Sequence, residues 1–61
     1  MDAQKLKIIR IKKGISQKRL AELVDADYSY INMIENGRKV PSLALLERIA
    51  NALDCSLKDF F

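Results

Sequence analysis

The sequence predicts an all-α fold, a compact bundle of five short helices spread over residues 1–61. Three observations carry this. Apolar residues recur three and four positions apart, as in Leu20, Ala21 and Val24 or in Ile31 and Ile34, which is the spacing of one helix face. Only two Gly and one Pro are present, too few for a loop-rich chain. The β-branched residues do not alternate with polar ones, so no strand pattern forms. A chain of 61 residues makes one domain, and at that size the stability margin is thin.

Each helix has its own start and stop signals. Asp2 caps a first helix running to about Lys13, with Gly14 as its stop. Leu6 and Ile9 share a face there with Arg10 and Lys13, while Ile8 and Ile11 point elsewhere. Two-sided packing in a small bundle explains this, and a partner-facing patch is the alternative. Ile15 precedes a Ser16 cap and staples the start of a second helix, about Gln17 to Val24. Asp25-Ala26-Asp27 is a tight turn, since Asp tolerates the left-handed conformation such turns need. Asp27 is expected to cap a third helix, about Tyr28 to Asn36, which Gly37 ends. After Val40-Pro41, Ser42 caps a fourth helix, about Leu43 to Leu53, with Leu43, Leu46, Ile49, Ala50 and Leu53 inward. Asp54-Cys55 breaks it. Ser56 with Asp59 resembles a capping box for a last helix, about Leu57 to Phe60, that sets Leu57 and Phe60 on the bundle.

Composition excludes several classes of function. There is no His, the one Cys has no neighbouring base, and no Gly-rich phosphate loop or metal-ligand cluster occurs. No enzymatic activity, metal, cofactor or small-molecule ligand is therefore expected. A single Cys suggests a reducing, cytoplasmic setting, and no apolar run approaches the roughly 18–20 residues of a membrane span. The net charge of +3 is unevenly spread. Residues 1–20 hold seven of the eleven basic residues and one acid, Asp2, whereas residues 21–36 hold four acids and no base. Arg38 and Lys39 follow at once. Basic residues thus flank the centre of the chain, a layout that suits a polyanion.

That centre, about residues 17–36, reads as two short helices joined by a tight turn, a helix-turn-helix unit whose second helix can enter the DNA major groove. Its outward positions, Tyr28, Ser29, Asn32 and Met33, carry no long charged side chain, unlike an ordinary solvated helix. Asn32 can pair with adenine through two hydrogen bonds, and Met33 can touch a thymine methyl. Ser29 can bond a base or a phosphate. Tyr28 can reach a phosphate through its hydroxyl or stack on sugar. Ser16 and Gln17 begin the second helix, where unpaired N–H groups favour phosphate. Tyr30, at the edge of the inward face, suits core packing better than DNA.

On these residues the chain resembles the lambdoid phage repressor and Cro-like helix-turn-helix regulators, the XRE family. The resemblance rests on Arg10, Gly14-Ile15-Ser16-Gln17, Leu20-Ala21, the block from Ile31 to Gly37, Pro41-Ser42, and Leu46 with Ile49-Ala50 and Leu53. It covers nearly the whole chain. Ser29-Tyr30-Ile31 is also similar to restriction–modification controller proteins and some sporulation repressors of that family. The resemblance implies a repressor-like domain that binds double-stranded operator DNA as a homodimer. It implies base contacts at Tyr28, Ser29, Asn32 and Met33, and phosphate contacts at Ser16, Gln17, Asn36, Arg38 and Lys39. It further implies a partly buried ion pair between Arg10 and Glu35.

The expected function is that of a sequence-specific transcriptional regulator in the cytoplasm, at the nucleoid when bound to DNA. The chain departs from the family pattern in having Asp25 at the usual turn glycine and Asp27 before the reading helix. This added negative charge motivates an alternative, a protein-interaction module that keeps the fold without reading DNA. An excised DNA-binding domain of a longer regulator is a third reading. Phe60 and Phe61, with Ile8 or Ile11, are the apolar candidates for a dimer interface.

Overall fold

Four α-helices and a closing 3-10 turn make up the computed structural model, which describes residues 1–61. The helices are α1 (Ala3–Lys12), α2 (Gln17–Val24), α3 (Tyr28–Glu35) and α4 (Leu43–Ala52), and the turn spans Leu57–Phe60. α2 packs against α3 and α4, while α1 packs against α3 and the 3-10 turn, which also touches α4. No helix is long and apolar enough to cross a membrane.

Local chemistry starts three of the helices. The Asp2 carboxylate accepts from the Gln4 and Lys5 amides at 3.0 and 3.4 Å. Ser16 Oγ accepts from the Arg19 amide at 3.0 Å, and Ser42 Oγ from the Leu45 amide at 3.1 Å. Each such cap satisfies a donor the helix leaves unpaired and contributes about 1 kcal/mol. The core gathers Leu6 of α1, three residues of α2 (Leu20, Ala21, Val24), Ile31 and Ile34 of α3, and Leu45, Leu46, Ile49 and Ala50 of α4, closed by Leu53 and Phe60. Ile8 and Ile11 lie on the solvent side of α1, and Tyr30 packs on the rim of the core.

Four expectations need correction. The fifth helix is a single 3-10 turn, because four residues close i to i+3 bonds (Asp59 amide to Ser56 carbonyl, 3.0 Å; Phe61 amide to Lys58 carbonyl, 3.1 Å) before an α-turn can propagate. Leu43 is 60% exposed and Leu45 is buried in its place. Both leucines flank the stripe formed by Leu46, Ile49 and Leu53, and periodicity weighs them alike. The α2–α3 turn lies on Leu45's side, where Ala26 and Tyr30 line one depression with it. Asp27 precedes α3, but its carboxylate makes no capping bond; only its carbonyl serves the helix, accepting from Tyr30 and Ile31 at 3.1 and 3.2 Å. Phe60 is fully buried and unavailable to a partner, unlike Phe61, which is 59% exposed.

Candidate nucleic-acid interface

The α2–α3 turn fixes the angle at which α3 is presented. Asp25 sits in the left-handed region (φ 56°, ψ 49°). The Ala26 amide there donates to the Ala21 carbonyl at 2.9 Å, and the Asp25 amide to Glu22 at 3.4 Å. These bonds close the end of α2 as glycine usually does, at the modest cost Asp bears in that conformation. At the other end of α3, Gly37 (φ 75°) reverses the chain, and the Arg38 amide returns to the Met33 carbonyl at 2.9 Å.

The turn residues divide the charges. Asp25 and Asp27 line a depression together with Arg48 and Leu45. A separate groove is lined by Arg10, Ser16, Gln17, Lys18 and Tyr28. Neither turn aspartate lines the groove that joins the start of α2 to the start of α3. Three sequence-predicted contact residues, Ser16, Gln17 and Tyr28, meet in that groove. Ser29 is exposed beside them, and Asn32 and Met33 are half-buried further along α3. Asn36, Arg38 and Lys39 are exposed where the chain leaves α3. Neither Arg38 nor Lys39 takes part in a salt bridge, so both charges are free to meet an anion.

Behind this surface lies a buried ion pair. Arg10 Nε donates to Glu35 Oε2 at 2.6 Å and Arg10 Nη2 donates to Glu35 Oε1 at 3.0 Å, a two-pronged bond between α1 and α3. Arg10 Nη1 also donates to the Ile15 carbonyl at 2.7 Å, which fixes the lead-in to α2. One guanidinium thus holds α1, α3 and the start of α2 in register. The two side chains are 9% and 1% exposed, and every buried side-chain polar atom has a partner.

Amide side chains carry the network outward. Gln17 Nε2 donates to Glu35 Oε1 at 2.9 Å, Asn32 Nδ2 to Gln17 Oε1 at 3.2 Å, and Asn36 Nδ2 to Asn32 Oδ1 at 3.0 Å. Sequence reasoning missed the inward role of Gln17. No spacing rule links residues 18 and 15 positions apart. The Asn32–Asn36 pair, at i,i+4 on one helix, was visible in principle. Elsewhere, burial first and then Asp59 push the Cys55 thiol above its ordinary value, which keeps it protonated and poorly nucleophilic.

Comparison with known proteins gives a consistent result. A family model described as helix-turn-helix matches residues 6–60. The HTH-type transcriptional regulator PuuR of Escherichia coli (strain K12) is 34% identical over 58 residues, which cover 95% of this chain and 31% of that protein. The chain therefore spans about a third of that relative's length. Among solved structures, the restriction-modification controller protein C.AhdI from Aeromonas hydrophila matches with a TM-score of 0.92 and 37% identity, over 97% of this chain and 89% of that one. The biofilm master regulator SinR, solved in complex with DNA, matches with a TM-score of 0.90 and 33% identity, over 97% of this chain and 98% of that one.

Proposed function

The chain belongs to the helix-turn-helix family, and from that premise we propose that it is a sequence-specific DNA-binding transcriptional regulator whose α3 lies in the major groove. The observation that carries this is the similarity, along almost the whole chain, to a regulator solved with DNA bound. The groove face of α3 supports it, because Ser29, Asn32 and Met33 offer short polar and soft apolar contacts suited to base edges. Tyr28 stands with them at the leading edge of that base-reading face, while Ser16 and Gln17 on one side, and Asn36, Arg38 and Lys39 on the other, are assigned to the two flanking stretches of phosphate backbone. No catalytic step is part of this function. It is exercised in the cytoplasm, where the single thiol stays reduced.

Selection of binding sites from random DNA tests the proposal. A defined preferred sequence is expected, and Asn32→Ala should erase the preference at one base pair, at a cost of about 1–3 kcal/mol there. Affinity should fall steeply with salt, and Arg38→Ala should lower that slope by about 1. Absence of salt-dependent binding at low ionic strength would point to a protein-interaction module instead.

The functional unit we propose is a homodimer on a two-fold operator. The domain measures 23 × 22 × 19 Å. A single copy therefore addresses one half-site, while half-sites on one DNA face recur about every 34–36 Å. Phe61, Ile8 and Ile11 are 59%, 51% and 56% exposed and are the candidates proposed for the contact with a second copy, although Leu23, Val40 and Leu43 are exposed apolar residues as well. Phe61→Asp is expected to reduce the sedimenting mass from dimer to monomer. An unchanged dimer would remove Phe61 from the interface.

A further inference from the structure

We propose that Glu35 is a positioning residue for base reading, acting through Gln17 to fix which end of the Asn32 amide presents a donor and which an acceptor. This rests on the assignment of α3 as the reading helix.

Hydrogen-bond polarity fixes the order of the three amides. A carboxylate paired with a guanidinium can only accept. The Gln17 atom 2.9 Å from Glu35 Oε1 must therefore be the amide nitrogen. Turned the other way, Gln17 would set a carbonyl oxygen against the carboxylate and leave a 1% exposed side chain one donor short. With its nitrogen turned inward, Gln17 faces Asn32 with its oxygen, so the Asn32 atom 3.2 Å away must be nitrogen, and the second Gln17 N–H stays free for phosphate. Asn32 Oδ1 is then turned to Asn36, which supplies an N–H at 3.0 Å. Each amide alone could flip at little cost. Tied in series to a buried ion pair, the three share one order.

The consequence falls on recognition. Asn32 keeps one N–H and one lone pair unspent, in a set arrangement. Adenine presents one acceptor, N7, and one donor, N6–H, on its major-groove edge. A freely flipping Asn32 would offer those two contacts in either order. The relay leaves one order and spares the reading residue the ordering cost on binding.

Glu35→Gln is the direct probe, but it strands the Arg10 guanidinium and risks the fold. Gln17→Met severs the relay and leaves the Arg10–Glu35 pair intact. Overall DNA affinity should drop because Gln17 also meets phosphate. The diagnostic readout is site selection, where preference at the base pair read by Asn32 should collapse from about tenfold or more to near unity while other positions keep theirs. In the free protein, nuclear magnetic resonance should show the Asn32 and Asn36 side-chain amide signals moving and the Arg10 Nε–H signal staying in place. Uniform weakening with every preference intact, or unmoved Asn32 and Asn36 signals, would overturn the relay. A native chain that selects no sequence would overturn the DNA reading and with it the base-reading role, the amide signals still judging the relay itself.

Discussion

Glu35→Ala is expected to remove about 3–5 kcal/mol of folding stability, most of what a domain this small has. The loss comes from what stays behind. Arg10 is 8% exposed, and without Glu35 it would keep only the Ile15 carbonyl as partner for a buried full charge. At about 4–8 °C per kcal/mol for a domain of this size, the unfolding midpoint should fall by about 12 °C or more. Replacing both partners with apolar residues, Arg10→Met with Glu35→Leu, should restore the midpoint to near the native value or above it, since a buried pair repays its desolvation poorly. The double variant separates two roles of the pair. It should fold and still bind DNA, but Gln17 would lose its inward acceptor, and the preference at the Asn32 base pair should weaken. A Glu35→Ala cost below about 1 kcal/mol would instead put the pair on a level with exposed ion pairs such as Arg19–Glu22.

The parts of the molecule legible in the sequence are those governed by short-range rules. Caps at Asp2, Ser16 and Ser42 follow from side chains that bond an amide two or three residues on. The left-handed stops at Gly14, Asp25 and Gly37 follow from backbone preference. The inward faces of α2 and α3 follow from helical spacing. Where a tertiary neighbour decides, the sequence falls silent. Leu43 and Leu45 lie on opposite flanks of the α4 stripe, and the α2–α3 turn lies on the Leu45 side. Asp27 had the composition of a cap, yet the chain path leaves its carboxylate exposed.

The candidate site divides the same way. The outward residues of α3 were legible because an uncharged face on a short surface helix is unusual. The link from Arg10 to Glu35, 25 positions apart, came from family resemblance and not from any local rule. Gln17 was read as a phosphate contact because it opens a helix, and that logic sees only its outward side. Its inward bond to Glu35 depends on how α2 crosses α3, which no local pattern encodes. The acidic residues of the turn line a different depression from the one that Ser16, Gln17 and Tyr28 share. Direction matters more than sequence distance, and Asp25 and Asp27 face the side that carries Arg48.

Phe60→Ala should cost about 3–5 kcal/mol, although it lies next to the end of the described chain in a single 3-10 turn. Terminal residues are usually dispensable, and a one-turn helix has little stability of its own. Phe60 differs because its ring is fully buried in the core cluster, where truncation leaves a cavity that fixed helices cannot close. Its carbonyl also accepts from the Asp2 amide at 2.6 Å, which ties the start of α1 to the close of the fold. Loosening that end releases the helix that carries Arg10, and the loss should reach the orientation of α3. Phe61→Ala is the control: with its ring 59% exposed, it should change monomer stability by no more than about 0.5 kcal/mol. Both variants should be compared by denaturant unfolding at concentrations low enough to keep the native chain monomeric, because association adds apparent stability. Equal costs at the two phenylalanines would mean that the 3-10 turn does not belong to the core.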